Sequence, residues 1–237
     1  MPKRYWWVLA TYVIMQLSGL VGVLPFLYEG FTKEQAAVIW SLISFISALI
    51  VILILLRKDM KASYRDVDRA SVDQSILWGF LGILIAFGAQ LVSGVIEQAL
   101  GVHHASENTQ RITEIARDMP LFIIVVAIVG PILEEIVFRK VLFGSLYKRF
   151  DFAIAAVISS ILFGLAHMEL SFLLTYSAMG FVFAFLYAKT KRILVPIAAH
   201  ASMNTFVVLV NVIFADDIQK YMDRMKEVQQ LITWFFS

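Results

Sequence analysis

Uncharged stretches of about 18 residues or more recur along the chain, and they limit its fold more than any other feature. The chain is 60% hydrophobic and 16% charged, whereas soluble domains are about 45–50% apolar and about 25% charged. We therefore predict an all-α, polytopic transmembrane helix bundle of about seven spans. The approximate spans are residues 5–28, 35–56, 75–98, 119–147, 152–168, 170–188 and 193–215.

The predicted spans and their connections divide the chain into three parts. Residues 1–118 contain the N-terminal spans and end in a polar connection. Residues 119–215 contain the last four spans, which hold most of the ionisable residues at apolar depth. Residues 216–237 are typical of an amphipathic helix that rests at a membrane interface. The first span is longer than the apolar region of a signal peptide and lacks a small-residue cleavage pattern, so we interpret it as a retained span.

Lysine and arginine are distributed unevenly between alternate connections. Twelve of them fall on the side of the N-terminus and six on the other side, with two inside the fourth span set aside. The positive-inside rule then predicts a multi-pass protein of a cell membrane, embedded in the lipid bilayer, with a cytoplasmic N-terminus. The net charge of +2 does not favour nucleic-acid binding. Because the chain has no cysteine, any chemistry must use other side chains.

Two adjacent carboxylates lie inside the fourth span, where ionisable groups are costly and usually functional. Glu135 and Arg139 are four residues apart with the acid first, the favoured order for an ion pair within a helix. Glu134 points about 100° away from Glu135 and shares its face with Phe138. We therefore predict that Glu135 is structural and that Glu134 is free to act.

A proline directly precedes these carboxylates. Pro131 removes one backbone hydrogen bond from the span and usually kinks a helix. The sequence predicts that the Ala127 carbonyl loses its donor and that the kink opens space for water beside Glu134.

Two later spans carry histidines at apolar depth. Phe163 and His167 share one helix face in the fifth span, and His200 and Asn204 share one in the seventh. The depth of His167 matches that of the carboxylates, whereas His200 matches only if its helix tilts or starts deeper. Convergence of the three groups is therefore a prediction. Glu97 lies near the end of the third span, and we predict an interfacial position for it.

A carboxylate and two imidazoles in a walled cavity can activate water. Glu134 is the candidate general base, and an imidazole such as His167 can hold the same water or shuttle its proton. His200 and Asn204 can together donate to the oxyanion that forms when water attacks a peptide carbonyl. The same residues also allow a metal site, in which Glu134, His167 and His200 bind zinc and leave one coordination position open for water. The helical H-E-x-x-H spacing of soluble zinc proteases is absent.

These residues resemble the CPBP intramembrane protease family, which includes type II CAAX prenyl endopeptidases and bacterial Abi-type proteins. The family pattern is EExxxR after Gly-Pro, then FxxxH, then HxxxN or HxxxD. Here the motifs are GPILEEIVFR at 130–139, FGLAH at 163–167 and HASMN at 200–204. They occur in order, and the similarity covers roughly residues 119–210.

The resemblance implies a role for each motif residue. Glu134 activates the attacking water with His167, while His200 and Asn204 stabilise the oxyanion. It favours a reaction without a metal cofactor, with zinc as the minor alternative. Lys140 departs from the family, because many members have glycine there. As supporting residues we take Glu135, Arg139, Phe138 and Phe163. The resemblance also implies that the last four spans, residues 119–215, form the catalytic protease core.

We therefore predict an intramembrane endopeptidase that cleaves a hydrophobic peptide or membrane-protein substrate, in a chain that we expect to be bacterial. Two other classes stay open at this point. A non-catalytic membrane partner, such as a peptide-binding or immunity protein, would keep the polar core for folding alone. A proton-coupled transporter would use the Glu and His side chains as a relay, although we see no inverted repeat.

Overall fold

The computed structural model describes residues 1–64 and 68–214, with side chains at 62–64 excepted. Beyond them it describes only positions 217, 220, 224, 225, 227, 228, 230, 231 and 234. The amphipathic tail that we predict over 216–237 therefore lies largely outside the described residues. The three-part division of the chain also stays a prediction.

The regular structure of the described residues is entirely helical, which confirms the predicted all-α class. The helices are α1 (Lys3–Gly22), α2 (Leu24–Tyr28), α3 (Lys33–Tyr64), α4 (Val72–Ala99), α5 (Glu107–Asp118), α6 (residues 122–146), α7 (Phe152–Ala166), α8 (Leu173–Thr190) and α9 (Leu194–Ile213). A single turn of 3₁₀ helix, Leu170–Phe172, leads into α8.

Five helical segments of the described chain are long and apolar enough to cross a membrane. They are Lys3–Tyr28, Lys33–Lys61, Val72–Ala99, Leu170–Thr190 and Leu194–Ile213. α7 is also apolar but has only 15 residues. Large apolar side chains such as Ile14, Leu20 and Phe80 are exposed along the spans, as expected of surfaces that face lipid. The polytopic membrane bundle is thus confirmed, and the number of seven spans stays a prediction.

The basic connections gather at one end of the bundle. Arg4 binds the carboxylate of Asp59 at the end of α3. Lys191, which follows α8, lies 3.1 Å from a carboxylate oxygen of Asp68, and Arg192 donates to the Ala70 carbonyl at 2.7 Å. The N-terminus, the α3–α4 connection and the α8–α9 connection therefore share one face. This grouping is the one that the lysine and arginine counts predict, while the cytoplasmic assignment of the face stays a prediction.

α6 is not a regular α-helix but contains two π-helical segments, Val125–Val129 and Ile136–Phe143. In the first segment the Gly130 N–H binds the Val125 carbonyl, five residues back. In the same register, an N–H at position 131 would donate to the Val126 carbonyl, but Pro131 has no N–H. The Nδ2 amide of Asn204 donates to that Val126 carbonyl at 3.1 Å. The π register thus points to Val126 as the carbonyl that Pro131 leaves without a donor, whereas regular α-helical spacing predicts Ala127.

Two glycines let α7 and α8 pack closely. A Cβ added to Gly180 would lie 3.1 Å from the Ser160 Cβ and 3.2 Å from the Phe163 ring. One added to Gly164 would lie 2.7 Å from the Ser177 Oγ. The close approach buries Phe163 completely. The position of the Phe163 ring is thus fixed by the close packing of α7 against α8.

Candidate active site

The four predicted catalytic residues meet around two adjoining cavities. A cavity of about 280 Å³ is lined by Glu134, His167 and Asn204. A smaller one of about 110 Å³ is lined by His167, His200 and Asn204. His200 Nε2, on α9, lies 3.7 Å from Glu134 Oε2, on α6. The predicted convergence of the three motifs is therefore present, and the depth of His200 agrees with that of the carboxylates.

Glu135 is fully buried, and each of its two carboxylate oxygens contacts a partner. Its Oε1 accepts a hydrogen bond from His200 Nδ1 at 2.9 Å. Its Oε2 lies 3.0 Å from Arg139 Nε, four residues further along α6. A buried charge is tolerable when it is paired in this way. Glu135 thus joins α6 to α9 through these contacts, and its structural role stays a prediction.

The Arg139 guanidinium is fully buried among aromatic rings. Its contact with Glu135 is short, but its angle falls outside hydrogen-bond geometry, and Nη1 and Nη2 have no hydrogen-bond partner in the described part of the chain. Its Cζ lies 4.4 Å from the Phe163 ring centre and 5.4 Å from that of Phe183. A desolvated cation gains about 2 kcal/mol or more from such ring faces. Phe138 is the third ring, at 6.0 Å, so one carboxylate and three rings surround the positive charge.

Glu134 is placed differently from its neighbour. Its side chain is 20% exposed and lines the larger cavity, where the side chains of Tyr12 and Gln16 from α1 also lie. Its distance from His200 is longer than a hydrogen bond. Glu134 is therefore the carboxylate with an oxygen available to a molecule in the cavity. Phe138, predicted on the same face, is buried and packs edge-on against Tyr12.

His167 lies just past the last residue of α7. Its Nδ1 lies 2.9 Å from the Phe163 carbonyl, which can only accept a hydrogen bond, so the neutral ring carries its proton on Nδ1. Nε2 is then left as an acceptor at the cavities that His167 lines. The next residue, Met168, has a φ of 57°, a left-handed conformation that non-glycine residues rarely adopt. This turn ends α7 immediately after the imidazole.

The His200 ring is clamped by aromatic neighbours and by Glu135. Phe183 stacks on it at 4.7 Å with an angle of 18°, and Phe163 meets it edge-on at 5.7 Å. Since Nδ1 donates to Glu135, the neutral ring has no proton on Nε2. His200 can therefore donate to an oxyanion only as imidazolium, a state in which Glu134 and Glu135 both face its charge.

Asn204 uses only part of its hydrogen-bonding capacity on the fold. One N–H of its amide donates to Val126, as described above. An amide group has two N–H donors and a carbonyl oxygen. Because Asn204 lines both cavities, its remaining groups lie within the candidate site. The same side chain thus supports the π turn of α6 and can contact a substrate.

The predicted zinc alternative is not matched by the geometry. Among the described residues, no three His, Asp or Glu side chains lie close enough together to hold a metal ion. The three proposed ligands, Glu134, His167 and His200, are all described residues. His200 Nδ1 is already bound to Glu135, so only its Nε2 is available. This arrangement of His200, with a carboxylate behind Nδ1, is also common among metal-bound histidines, so zinc stays the minor alternative.

Sequence reasoning missed three residues at the site. The Tyr176 ring stacks on the His167 ring at 4.0 Å and 21°. The Tyr176 hydroxyl donates to Glu169 at 3.0 Å. Asn108, at the start of α5, lines both cavities. One signal for Tyr176 was available, since a short connection makes α7 and α8 antiparallel neighbours and places the start of α8 beside His167. No comparable pattern points to Asn108.

Glu97 is buried inside the protein, with only 4% of its surface exposed, and its interfacial depth in the membrane stays a prediction. Its carboxylate accepts hydrogen bonds from the Thr175 backbone N–H at 2.8 Å and from the Thr175 hydroxyl at 2.7 Å. The start of α8 needs acceptors for its free N–H groups, and Glu97 of α4 supplies one. A partner 78 residues away thus makes burial of this carboxylate possible.

Comparisons with known proteins give a consistent result. Residues 116–206 match the family described as type II CAAX prenyl endopeptidase Rce1-like. The putative membrane peptidase YdiL of Bacillus subtilis is 46% identical over 98% of both chains. The membrane-embedded CAAX protease MroQ of Staphylococcus aureus is 35% identical over 92% of this chain and 94% of its own. No solved structure matches the chain.

Proposed function

Since the chain belongs to the type II CAAX prenyl endopeptidase family of membrane proteases, we propose that it hydrolyses a peptide bond through a water molecule activated by Glu134. The substrate class that we propose is a hydrophobic peptide or a membrane-protein segment. One observation carries the proposal. Glu134 lines a cavity with His167 and Asn204, while Glu135 beside it is taken up by Arg139 and His200.

In the first step, the water oxygen attacks the carbonyl carbon of the scissile bond, and Glu134 takes one of the water protons. His167 Nε2 accepts a hydrogen bond from the other proton, which orients the water. The electron pair of the carbonyl moves to its oxygen and gives a tetrahedral oxyanion. In the second step the carbonyl re-forms, the carbon–nitrogen bond breaks, and Glu134 returns its proton to the leaving amine. The products are an acid and an amine, and no covalent enzyme intermediate forms.

The oxyanion requires donors that are already in place. Asn204 has an N–H beyond the one that binds Val126. His200 adds an Nε2–H in its imidazolium form, with Glu135 behind it at Nδ1. The π turn of α6 fixes the Asn204 amide, and the ring of Phe183 fixes that of His200. These restraints favour a preorganised oxyanion site, because the donors need little rearrangement during the reaction.

A wide apolar groove supports the proposed substrate class. The groove, of about 740 Å³, runs between α4, α8 and α9. We call it the lateral groove; its apolar walls include Phe87, Leu91, Val95, Phe172, Met179 and Phe206. It adjoins the smaller cavity through Gln90, Thr109 and Tyr176, which line both. An extended apolar chain in the groove would thus reach His200 and Asn204.

Gln90 supplies a polar contact on that path. Its Oε1 atom is buried and has no hydrogen-bond partner within the described residues. An unpaired buried acceptor costs about 1–3 kcal/mol. A backbone N–H of a bound peptide is the donor that we assign to it. The groove would then bind the substrate by apolar contact along its length and by one backbone hydrogen bond at its inner end.

The test compares wild type with Glu134→Gln on a panel of fluorogenic hydrophobic peptides, using protein purified in detergent. Because a general base contributes about 10²–10⁴-fold to a rate, we expect cleavage to fall by that factor. Asp59→Asn is the matched control, since it removes a carboxylate bound to Arg4 at the opposite end of the bundle. Cleavage by this control should stay close to wild type.

A zinc chelator and a binding measurement complete the design. Retained cleavage in chelator supports the water-activating carboxylate, whereas complete loss would restore the zinc alternative. Wild-type rates in Glu134→Gln would overturn the proposal. A protein that binds the peptides but cleaves none of them, with or without added zinc, would instead favour the non-catalytic partner.

A further inference from the structure

A line of contacts connects the ring of His167 to α5. The Tyr176 ring, in the first turn of α8, lies parallel to the imidazole at 4.0 Å. On another side of the imidazole, Phe163 meets it edge-on at 4.7 Å. The bond from His167 Nδ1 to the Phe163 carbonyl holds one ring atom and still permits the plane to tilt. The two aromatic rings restrict that tilt, so they determine where Nε2 points.

Glu169 is the next member of the line. Its Oε2 accepts hydrogen bonds from the Tyr176 hydroxyl at 3.0 Å and from the Ser106 hydroxyl at 2.8 Å. Its Oε1 accepts from the Glu107 backbone N–H at 2.7 Å. Ser106 is also the N-cap of α5, where it accepts from the Thr109 N–H. One carboxylate thus ties the start of α5 to the start of α8.

α5 forms one wall of the candidate site. Its Asn108 and Ile112 line both cavities with His167. Charged residues such as Arg111 and Glu114 are exposed on its other side. Glu169 follows His167 by two residues, and the left-handed turn at Met168 lies between them. The Glu169 carboxylate binds the start of α5. The position of α5 and the orientation of His167 therefore depend on the same short segment.

We propose that Tyr176 is a positioning residue for His167 and that Glu169, by binding both Tyr176 and the start of α5, holds Tyr176 in place. The inference rests on the proposed function, because it presumes that His167 Nε2 acts on the water. Tyr176 donates no proton in this scheme. It keeps the imidazole in the plane from which Nε2 reaches the cavity. Because Glu169 also binds the start of α5, the orientation of the His167 ring depends on whether α5 is docked.

The experiment compares three variants in the full-length protein, with kcat and KM measured separately on the best peptide of the panel. Tyr176→Leu removes the stacked ring, and we expect kcat to fall about 10–100-fold with KM changed less than about twofold. Tyr176→Phe keeps the ring and loses the hydroxyl, so it should recover most of kcat. Glu169→Ala should be at least as slow as Tyr176→Phe, because it also releases the start of α5. The double variant should lose less than the product of the two single losses, because both changes remove the bond between Tyr176 and Glu169.

Tyr147→Leu is the matched control. Tyr147 is also a stacked tyrosine, 5.2 Å from the ring of Phe143, but it lies near the basic end of the bundle. Its kcat should equal that of wild type. A wild-type kcat in Tyr176→Leu would overturn the inference. So would a loss that appears in KM alone, because Tyr176 would then contact the substrate.

Two further outcomes separate the inference from its premise. If Tyr176→Leu does not fold, the Tyr176→Phe and Glu169→Ala pair still decides, and additive losses in the double variant would refute the proposed link. If Glu134→Gln is as active as wild type, the proposed function fails whatever the Tyr176 variants do. If Glu134→Gln is inactive while Tyr176→Leu is fully active, only the positioning role fails.

Discussion

Two membrane-embedded carboxylates, Glu97 and Glu135, are almost equally buried but are surrounded by different partners. Glu97 is 4% exposed and Glu135 is fully buried. Glu97 of α4 accepts two hydrogen bonds from Thr175, and the Thr175 hydroxyl also lies 3.0 Å from that of Ser93. These partners are neutral. Glu135 of α6 has a cation on one oxygen and His200 on the other.

The difference lies in what each partner can still do. The hydroxyl and N–H groups around Glu97 bind one another, so the cluster joins α4 to α8. Glu97 and Thr175 also line the lateral groove, but neither lines the two cavities around Glu134 and His167. His200 binds Glu135 through one nitrogen and keeps the other 3.7 Å from Glu134, at the cavities. A buried carboxylate is thus structural when its partners use all of their hydrogen-bonding groups within the fold. It can support chemistry when a partner retains a free atom at a cavity.

The largest effect that we expect comes from breaking the charged cluster. Arg139→Leu leaves Glu135 without its cation, and an uncompensated buried charge costs about 3–5 kcal/mol. The variant should unfold at much lower temperature in detergent and lose peptide cleavage. Adding Glu135→Gln to it should restore part of the stability. Wild-type melting of Arg139→Leu would contradict the assigned pairing.

A smaller effect is expected at the neutral cluster. Glu97→Ala leaves the Thr175 N–H without an acceptor, which costs about 1–3 kcal/mol. Because neither Glu97 nor Thr175 lines the two cavities of the candidate site, kcat per folded molecule should stay near that of wild type. Thermal unfolding and active-fraction measurements on one preparation test both statements. A large loss of rate with unchanged melting would place Glu97 in the reaction and end the contrast with Glu135.

The smallest effect is expected from Thr175→Val. This change removes one hydrogen bond to Glu97 and retains the one from the backbone, so unfolding should become easier by about 0.5–1.5 kcal/mol. Thr205→Val is the control, since the Thr205 hydroxyl bonds to the Ala201 carbonyl of its own helix. Its change should be smaller than that of Thr175→Val. Equal changes in the two variants would mean that the link to Glu97 contributes little.

Much of the fold and part of the site were predictable from the sequence. Long uncharged stretches locate membrane helices because the bilayer imposes their length. The pairing of Glu135 with Arg139 follows from helical spacing alone. The family that the three motifs resemble is confirmed by the match over residues 116–206 and by the two relatives. The roles of Glu134, His167, His200 and Asn204 in a reaction stay predictions.

The features that sequence could not predict all depend on distant partners. The π register around Pro131 is accompanied by a bond from Asn204, which belongs to another helix. Glu97 is buried because Thr175 is there to bind it. Glu169 follows His167 in a polar turn, a pattern that equally suits a solvated loop. Spacing along one helix is readable from sequence, whereas contact between helices requires their packing.

The lateral groove has a consequence for redesigning this protein. Phe163 touches the rings of His167 and His200 and the guanidinium of Arg139, so few replacements there would preserve all three contacts. Leu91 and Val95, on the groove wall, are 70% and 67% exposed. The proposed function then assigns substrate choice to the outer groove wall and bond cleavage to the side chains around Phe163, with Gln90 and Tyr176 lining both regions. Libraries that vary the groove wall alone should yield proteases with altered substrate range and undiminished turnover.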